Sequence, residues 1–377
     1  MDFSYSQEQE MLRDSAAKFA LKGYGFERYQ STLDQPGHCD PAVWSQMAEF
    51  GWLGLAVPED AGGLGGSALD VALVCEALGS GMVLEPFVAG AVLPARLLSL
   101  AGGQPALLEA VASGTTQFAV AWTESGTRHD PAFCTTRAKA QSDGYMLTGR
   151  KQCVLNASNA QTLIVAARTS GEDGDENGIS LFAVEASAPG VELKPYPIMG
   201  GGYAADLQFD AVKVDGSALV GSLDAGFEPL DAALDHATAA ACAQALGAMS
   251  ALLERTGNYL KVRKQFGTPI GSFQVLQHRL VDMFVEVEQS RSMVLMSSVR
   301  VDSSPEASVR RRAVSAAKAY LAQSSKFVAQ QAVQLHGGIG VTEELDIGHY
   351  FRQLSAFGNL YGDRTWHLRR FAATPAA

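Results

Sequence analysis

Arg263-Lys264-Gln265-Phe266-Gly267-Thr268-Pro269-Ile270-Gly271-Ser272-Phe273-Gln274 is a Gly/Pro loop between two long helical patterns. Upstream, residues 231–260 are rich in Ala, Leu and Met and read as one helix. Downstream, Leu276, Leu280, Met283 and Val287 recur at three- and four-residue spacing and form a second stripe. The loop carries a guanidinium, two amides and two aromatic rings. An arginine there can pair bidentately with phosphate. Phenylalanine can stack on a flat heterocycle, and glutamine can donate and accept at its edge. By itself the stretch reads rather as a helix–helix corner capped by Gly267.

A third long helix follows. Ser304-Pro305-Glu306 is a helix start, and the pattern runs through Ala316, Tyr320, Phe327 and Val333 to Gly337-Gly338. In Gln334-Leu335-His336-Gly337-Gly338-Ile339-Gly340 the paired glycines admit close approach, and their amides can bind an anion. Alone, they read as a helix C-cap. They form no dinucleotide fingerprint, because they end a helix and follow no strand. Three long helices and a shorter terminal one predict a four-helix bundle over residues 226–377.

Residues 1–115 also read as helical. Ser6 with Gln9 forms a capping box before Met11, Leu12, Ala16, Phe19 and Ala20. Asp40-Pro41 opens a second helix with Trp44, Met47 and Phe50 on one face. Gly62-Gly63-Leu64-Gly65-Gly66 is a loop, and helices follow at about 68–78 and 90–100. Between the helical regions, residues 116–225 hold short β-prone runs at 117–122, 145–148, 153–155, 163–167, 180–184, 191–195 and 206–214. Asp143-Gly144 and Asp173-Gly174 mark turns. Seven short strands predict an antiparallel barrel or sandwich, with 171–178 as a mobile hairpin loop. The fold class is therefore multidomain α+β: an N-terminal helical domain, a middle antiparallel β-barrel and a C-terminal four-helix bundle.

Composition narrows the function. The chain has 377 residues, 47% hydrophobic and 18% charged, which excludes a disordered or collagenous protein. A net charge of -11 repels phosphate backbones, so nucleic acid is not an expected partner. Five scattered cysteines (Cys39, Cys75, Cys134, Cys153 and Cys242) match no zinc spacing and suit a reducing compartment. No metal site is expected. The N-terminus shows no signal-peptide pattern. The most apolar stretch, residues 86–103, is broken by Pro94 and Arg96, so no membrane span is expected. The expected location is the cytoplasm.

Helix–strand–helix order, R-x-Q-F-G-x-x-I-x-x-F-Q in the loop and Q-x-x-G-G after the next long helices together resemble the acyl-CoA dehydrogenase family. The resemblance spans nearly the whole chain. It includes "FSYSQEQEMLRDSAAKF" from Phe3, "LGLAVPEDAGGLGGS" from Leu53, "WTESGTRHD" from Trp122 and "KVRKQFGTPIGSFQVLQHRLVDMF" from Lys261. The terminal "HYFRQL…LYGDRTWHLRR" is similar to small subunits of two-component enzymes, of the pimeloyl-CoA dehydrogenase kind.

The resemblance implies FAD, an acyl-CoA thioester substrate and an electron-transfer flavoprotein as electron acceptor. By matching position, Arg263 and Gln265 are expected at the FAD diphosphate, with Phe266 and Phe273-Gln274 on the adenine side. Gln334, Gly337 and Gly338 are expected to meet the same FAD from another subunit, and Thr123 to hydrogen-bond the flavin ring. The family's Trp-x-Thr beside the flavin falls on Cys153-Val154-Leu155, which removes a ring shield and a hydroxyl.

The resemblance also implies an α-proton abstraction coupled to β-hydride transfer, giving a trans-2-enoyl thioester. A carboxylate of raised pKa suits the base, but Tyr361 occupies the family's Glu position and Ala237 the alternative one, with Thr238 beside it. A phenol of ordinary pKa near 10 is a poor base. Asp363 is the substitute within two residues, or else a turn residue. His129, His236 and Arg128 are open to either a substrate-contacting or a structural role. Three functional readings stand. One is a dehydrogenase subunit, homo- or hetero-oligomeric with a second subunit of the family. The second is a catalytically incomplete partner subunit. The third is a flavin oxidase or monooxygenase on the same scaffold.

Overall fold

The computed structural model describes residues 5–102, 104–303 and 306–375. The chain opens with α1 (Gln7–Lys18), where Ser6 and Gln9 form the reciprocal capping box read from the sequence. A π-helical turn, Phe19–Tyr24, leads into α2 (Gly25–Leu33). In α3 (Pro41–Glu49), the Asp40 side chain accepts from the Ala42 amide and Pro41 fills the first turn. A second capping box, Ser67 with Asp70, starts α4 (Ala68–Ser80). The predicted 90–100 helix is a π-helical turn, Val88–Val92, running into α5 (Leu93–Leu100). One further helix, α6 (Pro105–Ser113), starts on its proline.

The middle region contains β1 (Phe118–Ala121), β2 (Arg137–Gln141), β3 (Gly144–Leu155), β4 (Thr162–Arg168), β5 (Ile179–Glu185), β6 (Val191–Pro197), β7 (Tyr203–Asp215) and β8 (Leu219–Val220). Their order is β6-β7-β3-β2-β4-β5-β8, with β1 paired to β4. This corrects the expected antiparallel barrel: the sheet is open, and β1 runs parallel to β4. The runs at 145–148 and 153–155 are one strand. Irregularities between Leu147 and Gly149, and between Lys151 and Val154, break its periodicity and hide its length. Nor is the 171–178 loop left loose. The buried Arg168 guanidinium donates to the carbonyls of Ser170, Asp173, Asp175 and Asn177, and also to those of Ala132 and Cys134.

The C-terminal region has three long helices, α7 (Phe227–Val262), α8 (Gln274–Ser303) and α9 (Ala307–His336). Two short helices follow rather than one: α10 (Ile347–Phe357) and α11 (Arg364–Ala373). The Ser304-Pro305 start of α9 lies outside the described residues. Among those residues, α7 is long and apolar enough to cross a bilayer, but most of it is buried as the central helix of the core. It packs on α4 through two glycines. A Cβ on Gly79 would lie 1.9 Å from the Gln244 carbonyl oxygen, and one on Gly247 would lie 1.8 Å from that of Glu76. The loop between α7 and α8 is a two-residue hairpin joining β9 (Lys264–Gln265) to β10 (Thr268–Pro269), with Phe266 and Gly267 both at positive φ.

Candidate active site

A cavity of about 170 Å³ opens where the three regions meet. Residues 83–89 line it from the N-terminal region, Leu155, Asn156 and Tyr203 from the middle region with Ile198 and Met199 of the turn before β7, and Leu354, Phe357 and Tyr361 from α10 and the loop after it. α7 leaves room for it by presenting mostly small side chains, Ala241, Ala245 and Ala248, beside Gln244.

Tyr361 stands in the cavity wall at φ 53. A left-handed tyrosine costs of order 1–3 kcal/mol and persists only where its surroundings impose it. Two residues impose it here, through four hydrogen bonds to the loop. Lys318 Nζ, fully buried, donates to the carbonyls of Phe357 (2.9 Å), Gly358 (3.3 Å) and Gly362 (2.8 Å). His367 Nε2 donates to the Tyr361 carbonyl at 3.1 Å, and its Nδ1 accepts from the Ser315 hydroxyl at 3.3 Å. Burial, with the Lys318 and Arg370 charges, holds the imidazole neutral at about 2. Burial also brings the Lys318 ammonium down to about 8. The Tyr361 phenol moves the other way: burial, and then the Cys75 thiol, push it above its ordinary value. It is a protonated hydroxyl at the head of the cavity.

Asp363 is placed differently from the expected substitute base. Its carboxylate caps α11, accepting from the Trp366 amide at 2.8 Å, with the other oxygen 3.8 Å from His129 Nε2. It is not among the residues that line the cavity. Ala237 is fully buried on α7, and the Thr238 hydroxyl is spent on the Leu234 carbonyl at 2.6 Å. His236 lies 3.8 Å from Asp302; burial, then Arg96 and Arg310, hold it neutral at about 3.

Thr123 follows β1 and is tied to β3, its carbonyl accepting from the Gln152 amide at 2.8 Å and its hydroxyl donating to the Gln152 carbonyl. Beneath it, Lys151 and Glu124 form a buried ion pair at 2.6 Å. Burial alone would raise the Glu124 carboxyl. Lys151 and the Thr135 and Thr136 donors outweigh that and bring it down to about 2. This pair anchors the loop that carries Arg128 and His129, both at positive φ. Cys153 lies exposed at the β3 irregularity, its amide donating to Asp206 at 3.0 Å.

The remaining expected FAD residues gather at one end of the bundle. Tyr259 stacks on His336 at 4.4 Å, which brings the end of α7 beside the end of α9. Arg263, Gln265 and Gln274 are exposed, and Phe266 is 92% exposed with its ring edge-on to Phe273 at 6.2 Å. Gln334, Gly337 and Gly338 are exposed too. A Cβ on either glycine would meet nothing within 4 Å, and Gly337 has φ +66. A guanidinium, amides, two rings and an open glycine cradle fit a group with a diphosphate and flat rings.

Two residues of the site escaped the sequence reading. Glu85 is buried in the cavity wall, and Lys318 lies behind Tyr361. The available signal was the same for both: one charged residue inside an apolar run, Val83-Leu84-Glu85-Pro86-Phe87 and Ala316-Ala317-Lys318-Ala319.

Comparison with known proteins bears on what this geometry serves. The acyl-CoA dehydrogenase N-terminal, middle and C-terminal domain families match residues 6–102, 119–212 and 224–374. A probable acyl-CoA dehydrogenase of Bacillus subtilis, YngJ, is 31% identical over 360 residues, 93% of each chain. The caffeyl-CoA reductase-Etf complex subunit CarC of Acetobacterium woodii is 27% identical over 94% of each chain. Among solved structures, a chain of the ChsE4-ChsE5 complex from Mycobacterium tuberculosis superposes with a TM-score of 0.87, at 27% identity over 100% of both chains.

Proposed function

The chain belongs to the acyl-CoA dehydrogenase family, FAD flavoprotein oxidoreductases that act on CH–CH bonds, and from that premise we propose that it is one subunit of a hetero-oligomeric acyl-CoA dehydrogenase. In this reading the cavity takes the acyl chain of a CoA thioester. Arg263, Gln265, Phe266, Phe273 and Gln274 hold FAD at an interface between subunits, across which this chain's Gln334, Gly337 and Gly338 also meet the cofactor. Bound FAD supplies the hydride acceptor.

The chain's own residues bind and orient. Thr123 is fixed at the end of β1, where the Glu124–Lys151 pair keeps its backbone rigid. Apolar walls keep water from the thioester, which strengthens any hydrogen bond to its carbonyl as enolate character develops. The observation that carries the subunit reading is Tyr361. A phenol kept protonated by burial cannot remove an α-proton at neutral pH. Asp363 is engaged as a cap and Ala237 has no functional group. The base then comes from the active site of a partner subunit. Support also comes from the exposed Phe266 hairpin, which leaves a cofactor-binding face open to a second chain.

The test is co-expression with a homologous subunit that carries the family's Glu, followed by anaerobic titration of each species with acyl-CoA thioesters. Flavin bleaching only in the mixed complex, lost when the partner's Glu is replaced, supports the reading. Full bleaching by this chain alone defeats it. Rapid transfer of electrons to an electron-transfer flavoprotein, with slow reoxidation by air, separates a dehydrogenase from an oxidase.

A further inference from the structure

We propose that Trp366 and Arg370 of α11 plug the passage by which a CoA thioester reaches the cavity, and so gate substrate entry into this subunit. This rests on the acyl-CoA reading above. Tyr361 is a wall shared by two cavities, the large one and a second of about 10 Å³. The second lies between His129 and Pro131 of the middle region, Leu234 and Thr238 of α7, and Trp366 and Arg370 of α11. It continues the large cavity beyond Tyr361. A thioester with its acyl chain in the large cavity and its reacting carbons at Tyr361 sends its pantetheine arm this way. The space left there holds one water molecule at most, too narrow for an amide-linked chain.

Side chains of α11 close the passage by reaching both of its walls. On the α7 side, Arg370 Nη2 donates to Asp231 Oδ1 at 2.7 Å, and Nη1 donates to Asp235 Oδ1. The same guanidinium lies 5.2 Å over the Trp366 ring. On the opposite side, the Trp366 ring meets His129 edge-on, with centroids 6.4 Å apart. The Asp363 carboxylate, at the start of α11, lies 3.8 Å from His129 Nε2. Arg370 and Trp366 thus join α7 to the His129 loop across the route.

Neutralising the α7 carboxylates does not require Arg370. Arg310 of α9 donates to both Asp231 and Asp235 at 2.9 Å, and Arg311 donates to Asp231 at 2.8 Å. Three guanidiniums therefore meet two buried carboxylates, and Arg370 is the one that comes from α11. Nor does the plug alone hold α11 in place. His367 bonds to the Tyr361 carbonyl and to Ser315, and Arg312 donates to the Phe371 and Thr374 carbonyls. Trimming Trp366 and Arg370 then opens the passage while the helix stays docked and both carboxylates stay paired.

The experiment compares the flavin-loaded protein with a variant carrying both Trp366→Ala and Arg370→Ala. The ligands are octanoyl-CoA and octanamide, which ends at the carbonyl and has no arm. Calorimetry gives affinity, and stopped-flow absorbance of the flavin gives the association rate. Octanoyl-CoA should bind the variant at least about tenfold more tightly, and faster, because the closed passage no longer competes with it. Octanamide should bind both proteins equally tightly. Unchanged affinity and rate for octanoyl-CoA overturn the inference, and so does an equal gain for octanamide. Should the double variant not fold, Trp366→Ala alone decides by the same two comparisons. Octanamide bound by both proteins, with octanoyl-CoA bound by neither, overturns this inference alone. No binding of either ligand to either protein overturns the parent reading with it.

Discussion

Lys318 Nζ lies 2.8 Å from the Gly362 carbonyl oxygen and donates to it from the core of α9. Together with its bonds to Phe357 and Gly358, it grips the loop on both sides of Tyr361. A lysine is therefore used here as a three-pronged backbone clamp rather than as an ion-pair partner.

Lys318→Met removes that clamp and leaves three carbonyls facing an apolar side chain. The expected loss of stability is about 3 kcal/mol. Urea denaturation measures it, and the chain should still fold.

Tyr361→Glu restores a carboxylate at the head of the cavity. Anaerobic mixing with an acyl-CoA should bleach flavin at least about tenfold faster in this variant than in the parent chain. Asp363→Asn should leave that rate unchanged and cost almost nothing in stability, since asparagine caps as well as aspartate. If Asp363→Asn instead abolishes bleaching in the parent chain, Asp363 is the base.

Gly247→Ala and Gly338→Ala should part company. The first drives a methyl into the Glu76 carbonyl and should cost about 3 kcal/mol in thermal or urea unfolding. The second enters open space within the chain. It should leave the unfolding midpoint unaltered while lowering the ratio of flavin to protein after gel filtration, as Arg263→Ala should also do through the lost phosphate pairing.

Acid should weaken the fold from about pH 6.5 downward. Burial keeps His236 and His367 neutral, at about 3 and about 2. Unfolded imidazoles protonate near 6.5, so below that value the unfolded chain holds more protons. Each histidine then contributes a loss of about 1.4 kcal/mol per pH unit as pH falls. Glu85 opposes this: with its folded value raised to about 7, its contribution is lost as pH rises from the ordinary carboxyl range. Urea midpoints between pH 7 and pH 4 give the net slope. His367→Asn, which retains a donor for the Tyr361 carbonyl, should reduce it by about one proton.

Helix positions and their caps were legible because they are local. Ser6 with Gln9 and Asp40 with Pro41 act within one turn, so four residues of sequence state the whole interaction. The sheet was less legible. Strand β3 is interrupted by irregularities that only its pairing with β7 reveals, and β2 (Arg-Ala-Lys-Ala-Gln) has no β-branched residue or aromatic to announce it. In the site, the Arg263 and Gln334 segments stood out by residue type. Lys318 and Glu85 did not, since what makes them matter is an absence of water, and burial arises from contacts between helices and loops far apart in sequence. Asp363 misled for the opposite reason: proximity in sequence to Tyr361 is not reach into the cavity, because the next helix claims its carboxylate.

Arg168 has a consequence for motion. Its guanidinium holds carbonyls from two separate loops, at Ala132 and Cys134 on one side and at Ser170, Asp173, Asp175 and Asn177 on the other. Neither loop can swing away without stripping donors from the other, so the two behave as one cooperative opening unit. Backbone amides in both should report one common opening free energy by deuterium exchange, so that the loop bearing His129 is paced by the hairpin between β4 and β5.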